Sequence, residues 1–399
     1  MRVLFIIFLA LLCIHSLSAW DFCQKNGDGV MLYYNRIWED DLCCEVAFCQ
    51  GAFYDVRRLR IPEEVILKGD ELKGIPDTVL TVVGIQENAF RFLNSVSGNY
   101  RYNERCLFVE VQFPPSLGYI GDYAFSGCDW LLRVIWPENT EWFFEIGEGA
   151  FKNTNLSEIR IPKTTEFIGP QAFMNSAITS VEFEEGNKSL KTIPEYCFYG
   201  CFFKKFPIPS FIQSIGDYAF AQCQFTDVPH LPYGLKKIGS YAFFNHKEWD
   251  KLEIPETVTD IGEYALCTEY KSDADGTKRR KLNLNKLYVN RKVPPYCYST
   301  KTLGDETYDS ESKTFTWTID DVMLVVPLKS EKEYHTTFPW SRFNERNIRS
   351  RDLSGVSSAT VPEAQPESIF SLDGKRLDFQ QKGLNIIRYK DGTTRKVMR

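Results

Sequence analysis

The hexad I-G-x-Y-A-F recurs through the middle of this chain, and a recurring unit restricts the fold more than composition can. It stands at residues 120–125, 215–220 and 238–243, and returns at 261–266 with Leu266 in place of Phe. Weaker copies end at Phe90, Phe151, Phe173 and Phe198. From Phe125 onward the copies lie about 22 to 26 residues apart. A period in that range belongs to solenoids, in which each coil contacts only its neighbours. Such arrays are commonly binding or structural scaffolds, so the repeat indicates a fold more directly than a partner.

Each coil carries two apolar clusters. One reads L-x-x-I-x-I-P, as in Leu156, Ile159, Ile161, Pro162, or Leu252, Ile254, Pro255, and more weakly Leu284, Leu287, Val289. The other leads into I-G, as in Ile212, Ile215, Gly216, then Leu235, Ile238, Gly239, then Val258, Ile261, Gly262. Apolar residues alternating over a few positions predict short strands. Proline ends the first strand because it has no amide to donate. Glycine after the second is expected to permit a tight turn. The D-Y-A-F that follows is expected to start one helical turn, with Asp122 or Asp217 as its N-cap. The fold class is therefore an α/β-type repeat solenoid, with short parallel strands and one helical turn per coil. Stacking places equivalent side chains about 4.8 Å apart, in ladders of Ile, Leu and Phe.

Composition removes some function classes. The 399 residues carry a net charge of −6, whereas a nucleic-acid-binding surface is basic. Aromatic content is 15%, with 30 Phe and 20 Tyr, much of it supplied by the repeat. Residues 1–19 read as a secretory signal peptide: Met1-Arg2, a nearly unbroken apolar run from Val3 to Ile14, then small Ser16, Ser18 and Ala19. The run is too short to span a bilayer, and no later segment is long and apolar enough, so no membrane span is expected. Cys13 leaves with the leader, and eleven cysteines remain. An exported chain permits disulfides, but an odd number leaves at least one thiol free or paired between chains.

The organisation follows from the repeat. After the leader, residues 20–84 read as a β-rich N-terminal cap, because the first coil of an array would otherwise expose its core. Residues 85–290 are the solenoid. Two polar insertions, 94–104 and 271–281, map to loops; the second contains the basic run Lys278-Arg279-Arg280-Lys281, read as a solvated loop. Residues 291–349 form a C-terminal cap, with Tyr334, Trp340 and Phe343 spaced to fold a short helix over the open end. Residues 350–366 read as a linker, and 367–399 as a small β tail with hairpin turns at Asp373-Gly374 and Asp391-Gly392.

The combination I-G-x-Y-A-F-x-x-C with L-x-x-I-x-I-P resembles the BspA-like, or Treponema-type, leucine-rich repeats of bacterial surface and secreted proteins. The likeness covers roughly residues 85–289. Residues 372–376 (L-D-G-K-R) with 382–387 (K-G-L-N-I-I) resemble the C-terminal sorting tail of type IX secretion substrates, though shorter than a full sorting domain. The resemblance implies a protein outside the cell, at its surface or beyond, acting in adhesion-like contact with extracellular-matrix, host or other bacterial surface proteins. A glycan-binding part of a surface uptake system is the alternative.

No catalytic constellation is legible, and no cofactor or metal is expected. His230, His246 and His335 fit no metal-ligand spacing, and there is no nucleophile elbow or phosphate-binding glycine loop. Cys128, Cys201 and Cys223 each follow the repeat Phe by three residues; Thr154 and Ser176 fill the same slot elsewhere. Ladder spacing near 4.8 Å is wider than the roughly 3.8 Å between Cβ atoms of a relaxed disulfide, so buried thiols are expected. Cys23, Cys43, Cys44 and Cys49 cluster in the N-terminal cap, where a disulfide is an open alternative. Tyr196, Tyr218, Tyr241 and Tyr264 should form a ladder that packs between coils. The candidate partner-binding face is the outward row of the L-x-x-I-x-I strands: Arg160, Glu182, Pro207, His230, Glu253 and Tyr288. These side chains vary from coil to coil while their neighbours stay apolar, and they should project together from a parallel sheet.

Overall fold

The computed structural model describes residues 21–37, 42–50, 57–69, 71–91, 107–138, 140–187, 189–223, 225, 227–271, 278–305, 307–309, 314–316 and 319–353, and four strands beyond them. The leader segment and the 94–104 insertion lie outside the described residues. The chain divides into Met1–Arg351 and Asp352–Arg399. In the second unit, Pro366–Phe370 lies between Arg376–Leu377 and Leu384–Tyr389, which pairs in turn with Thr394–Met398, all antiparallel.

In the first unit the I-G positions build one side of the array. Tyr119–Ile120, Glu145–Ile146 and Phe167–Ile168 pair in parallel, continuing a sheet begun by Phe22–Lys25, Met31–Arg36, Cys43–Gln50 and Thr78–Ile85. A second parallel sheet holds Thr192–Ile193, Ser214–Ile215, Lys237–Ile238, Asp260–Ile261 and Tyr296–Cys297. The L-x-x-I-x-I positions build the other side in three separate sheets. These are Arg58–Arg60 with Glu110–Gln112 and Arg133–Ile135; Glu158–Ile161 with Ser180–Phe183; and Trp249–Ile254 with Leu284–Val289, Met323–Pro327 and Ile348–Arg351. The gap between the last two falls at Pro207, Pro209, Pro229 and Pro232, whose missing amides prevent a ladder.

The core runs between the two sides. Phe90, Phe125, Phe151, Phe173, Phe198, Phe220 and Phe243 are buried and stack ring on ring, with centroids 4.9–5.7 Å apart and planes within 10° of parallel. Such offset stacks add to the burial of each ring.

The corner after I-G departs from the sequence expectation in three ways. D-Y-A-F forms a turn, not a helical turn. Tyr123, Tyr196, Tyr218, Tyr241 and Tyr264 all have left-handed φ between 49° and 56°. The reason is that the corner amides pair between coils: Tyr218 N donates to Ser240 O at 2.8 Å, Phe220 N to Ala242 O at 2.8 Å, and Gln222 N to Phe244 O at 2.8 Å. Second, the aspartates do not cap their own turn. Asp122 Oδ1 accepts from Glu148 N at 2.7 Å, and Asp217 Oδ1 from Ser240 N at 2.8 Å, each in the following coil. Third, the I-G glycines do not have left-handed φ. They are glycine because the coils touch there. A Cβ on Gly262 would stand 2.3 Å from Ser240 N, and one on Gly169 2.4 Å from Glu148 N.

The ends close differently. At the N-terminal end, among the described residues no strand but Glu110–Gln112 pairs with the edge strand Arg58–Arg60. Instead Asp28 Oδ2 accepts from Arg60 N at 2.9 Å, and Asn26 Nδ2 donates to Arg60 O at 2.8 Å. Side chains of one turn thus satisfy an edge that would otherwise invite pairing. At the C-terminal end, Tyr334 Oη donates to Arg291 O at 2.7 Å and Trp340 Nε1 to Pro295 O at 2.9 Å, both side chains fully buried. Two regions correct the sequence reading. Lys278–Leu282 is a strand paired antiparallel with Cys267–Lys271, where a loop was expected. Arg351, expected in a linker, ends the strand Ile348–Arg351; its polar sequence hides the one buried position, Ile348.

Candidate partner-binding face

Outward positions on the L-x-x-I-x-I strands are set by alternation. Ile159 and Ile161 are buried, so Arg160 points out, and Leu252 and Ile254 do the same for Glu253. Of the six candidates, four sit on strands. Arg160 pairs in register with Glu182, and Glu253 with Tyr288. Pro207 and His230 are exposed but belong to the unpaired segments between the sheets. The six therefore form two short rows with a proline-broken stretch between them.

Several of these side chains are already engaged. Arg160 Nη1 pairs with Glu184 Oε1 at 2.7 Å, and its Nη2 donates to Pro137 O at 3.1 Å. Glu253 accepts from Asn290 Nδ2 at 2.7 Å and pairs with Arg351. Burial opposes ionisation of Glu253, but the Asn290 and Arg351 hydrogen bonds outweigh it and hold the carboxyl below its ordinary range. Arg351 also lies 4.6 Å above the Tyr288 ring, a cation–π contact. Glu182, Pro207, His230 and Glu253 are exposed, and of these Glu253 is already engaged.

The first three strands carry a row that sequence reading passed over. Glu110, nearly buried, takes Arg58 Nε at 2.8 Å and Arg133 from the other side. The Arg58 hydrogen bond, followed by the charges of Arg133 and Arg58, holds the Glu110 carboxyl below its ordinary range despite some desolvation. One carboxylate thus faces two guanidinium groups. Beside this row a groove of about 400 Å³ opens, lined by Gly27, Arg60, Gln112, Phe113, Pro114 and Pro137 among others. The signal was present in the three coil-end prolines, but grooves arise from how successive turns stagger, which sequence does not give.

On the opposite side, Trp142, Phe144 and Phe167 are exposed by 73%, 43% and 50%. Phe167 N donates to Phe144 O at 3.1 Å, so the last two are neighbours on adjacent coils. The E-W-F-F-E run around buried Phe143 is the sequence signal for this patch.

The remaining candidates resolve as packing. Cys201 Sγ donates to Phe173 O at 3.2 Å and Cys223 Sγ to Phe198 O at 3.0 Å. Those carbonyls belong to the preceding coil; Thr154 and Ser176 instead donate to the Phe carbonyls of their own coils, Phe151 at 2.9 Å and Phe173 at 2.6 Å. Cys197, Cys201, Cys223 and Cys267 are buried free thiols, and Cys23 and Cys44 carry no disulfide. Tyr196, Tyr218 and Tyr241 stack at 4.7 and 4.5 Å with planes within 5°. Their faces are covered by one another, so no ring face inside this stack is open to a sugar. His246 is buried, stacked on Trp249 at 3.6 Å, with its ring nitrogens against Lys247 O and Leu266 O. The basic run is partly neutralised: Lys278 pairs with Glu269 at 2.7 Å and Lys281 with Asp321 at 3.1 Å. Among the described residues no group of three or more His, Cys, Asp and Glu is placed to hold a metal, and no helix is long and apolar enough to cross a membrane.

Residues 95–191 and 191–273 match the BspA type leucine rich repeat region, in six copies. This repeat region belongs to the BspA-type leucine-rich repeat family. No curated protein matches the chain. Solved structures to which this chain shows similarity include the pneumococcal vaccine antigen PcpA, at 15% identity, covering 84% of this chain and 99% of that one with a TM-score of 0.34. A leucine rich cell surface protein from Faecalibacterium prausnitzii is 18% identical, with coverages of 68% and 72% and a TM-score of 0.37. A leucine-rich repeat protein from Bacteroides ovatus is 17% identical, with coverages of 83% and 90% and a TM-score of 0.36. The BspA-type match spans the corners from Tyr123 to Tyr264 and the phenylalanine stack from Phe125 to Phe243, and it is to a repeat family.

Proposed function

We propose that this chain is an exported, non-catalytic scaffold that binds a protein partner through the outward side of its L-x-x-I-x-I strands. The observation that carries this reading is the contrast within those strands. Inward residues such as Val111, Ile159, Val181, Leu252 and Leu287 are uniformly apolar and buried. Outward residues on the same strands change charge, size and polarity from coil to coil, from Arg133 to Glu182 to Tyr288. A stacked array places such residues in rows, and an extended row is a surface suited to another macromolecule. Location at the cell surface or outside the cell rests on the leader-like first residues and on the family. An adhesion-like role toward a host, matrix or bacterial surface protein is the finer form of the same proposal.

The test is a binding screen of the purified chain against extracellular-matrix proteins and a glycan array. Saturable binding to a protein, weakened by Glu182→Lys or His230→Ala, supports the reading. Binding competed by free sugar and unaffected by these variants replaces it with the uptake reading. Turnover of a substrate that vanishes with one side chain would overturn both.

A further inference from the structure

We infer that the outward side of the I-G strands seats a second copy of this chain, face to face about a two-fold axis. This goes beyond the partner reading above and leaves the L-x-x-I-x-I side free. Exposed rings gather in both halves of the I-G side. Trp142, Phe144 and Phe167 stand in the first half, and Tyr233, Tyr296 and Tyr298 in the second, open by 43–73%. At about 200 Å² a ring, their open parts amount to about 650 Å² per copy, near the roughly 800 Å² that each partner gives to a stable interface. Between the clusters, the strand positions hold the short side chains of Thr192 and Ser214, so the middle of the face is low.

Charge selects the second copy as the occupant. At the I-G strands, the first half carries Glu145 and Glu166 and no cation, while the second carries Lys191, Lys236 and Lys237 against Asp260. The turns that lead in widen the contrast, with Glu138, Glu141 and Lys163 in the first half and Glu256, Arg291 and Lys292 in the second. Asp260 is already taken up by Tyr298 Oη at 3.0 Å and Thr259 Oγ1 at 2.6 Å. The corner acids recur in both halves, Asp122 and Glu148 in one and Glu195 and Asp217 in the other, and so do not distinguish them. Among the described residues, Glu145, Glu166, Lys191, Lys236 and Lys237 make no ion pair within the chain. Lys237 lies 5.5 Å from the Tyr298 ring. Burial, and then the charge of Asp122, push the Glu145 carboxyl above its ordinary range, as suits an acid with no cation beside it. A partner for this face must be basic at one end and acidic at the other, and the chain itself is one. A two-fold axis between the halves lays the acidic half of each copy on the basic half of the other, so every contact is made twice. Glu145 lies two coils before Thr192 and Lys237 two coils after it, which brings them together across the axis.

Sedimentation velocity on the full chain tests this. The wild type should form a dimer that weakens as salt rises. Two charge-reversed variants are compared: one carries Glu145→Lys and Glu166→Lys, the other Lys236→Glu and Lys237→Glu. Each alone sets like charges against each other and should weaken dimerisation about tenfold or more. An equimolar mixture of the two restores opposite charges at both contacts, and should recover the wild-type affinity to within about threefold. A folding fault in either variant would not produce that recovery, and circular dichroism checks both folds. Trp142→Ala should weaken the dimer while keeping its salt dependence. A wild-type chain that stays monomeric up to about 0.1 mM, a dimer untouched by both reversals, or a mixture no better than its components overturns the inference. Growth beyond a dimer overturns it as well, because it would mean a head-to-tail contact that does not close.

Discussion

The I-G-x-Y-A-F corner and the outward strand row lie on the same coils but obey different rules. At the corner, most coils repeat the same glycine, the same turn and the same buried ring, because neighbouring backbones approach within van der Waals contact; Pro194 and Leu266 are exceptions. On the outward row nothing repeats, and the sheet itself breaks where proline removes donors. Regularity in this chain marks packing. Surface chemistry open to a partner is found where the regularity lapses.

The largest effect is expected from altering the corner. Gly262→Val places a side chain against the Ser240 and Gly239 backbone, with first contacts at 2.3–2.6 Å. The expected cost is about 5 kcal/mol or more, in the exceptional range for a single substitution. Urea unfolding measures it, and near-wild-type stability would mean that coil contact does not require glycine. Phe198→Ala empties a place in the ring stack and should cost about 3–5 kcal/mol. A cost under about 1 kcal/mol would show the stack to be loosely packed.

The buried thiols give a subtler probe. Burial raises the Cys201 thiol to about 12, with the Ser176 hydrogen bonds opposing it less. Between the ordinary thiol range near 9 and that value, the folded chain keeps a proton that the unfolded chain loses. Stability present below about pH 9 is thus lost as pH rises, by up to about 1.4 kcal/mol per pH unit for each such thiol. Cys201→Ser should satisfy its hydroxyl on the Phe198 carbonyl of its own coil, as Thr154 and Ser176 do on Phe151 and Phe173, and flatten this alkaline fall. Melting curves from about pH 8 to 11 compare the two, and identical slopes would remove Cys201 from the account. The smallest effect belongs to the outward row. Glu182→Lys should change stability by less than about 0.5 kcal/mol while altering partner binding. A large loss of stability would mean that this residue serves the fold.

The sequence made the repeat, both strand families and the phenylalanine core legible, because each depends on local spacing. It misassigned the corner because the deciding hydrogen bonds run between coils. Asp122 reads as an N-cap within its own coil, yet its acceptor oxygen serves Glu148 N, 26 positions on. The candidate row was legible as a set of outward residues but not as a surface. Nothing local says that Arg351 folds back over Tyr288 and Glu253, or that Asn26 and Asp28 close the edge at Arg60. The groove beside Arg60 escaped for the same reason: its walls come from prolines about 23 to 52 residues apart.

The corner amides have one further consequence. Tyr123, Phe125, Tyr196, Tyr218, Tyr241 and Phe243 all donate toward the following coil, never toward the preceding one. The I-G glycine amides run the other way: Gly121, Gly147, Gly216, Gly239 and Gly262 donate to Ile85, Ile120, Ile193, Ile215 and Ile238 of the preceding coil. Each inner corner is thus bonded on both sides by its own backbone, and the opposed peptide dipoles offset one another along the array. At the C-terminal end Asp305 accepts from Tyr264 Oη and, at 3.0 Å, from Arg280 N. A coil inserted in the middle would find donors and acceptors waiting on both sides, whereas each end needs a closing segment of its own.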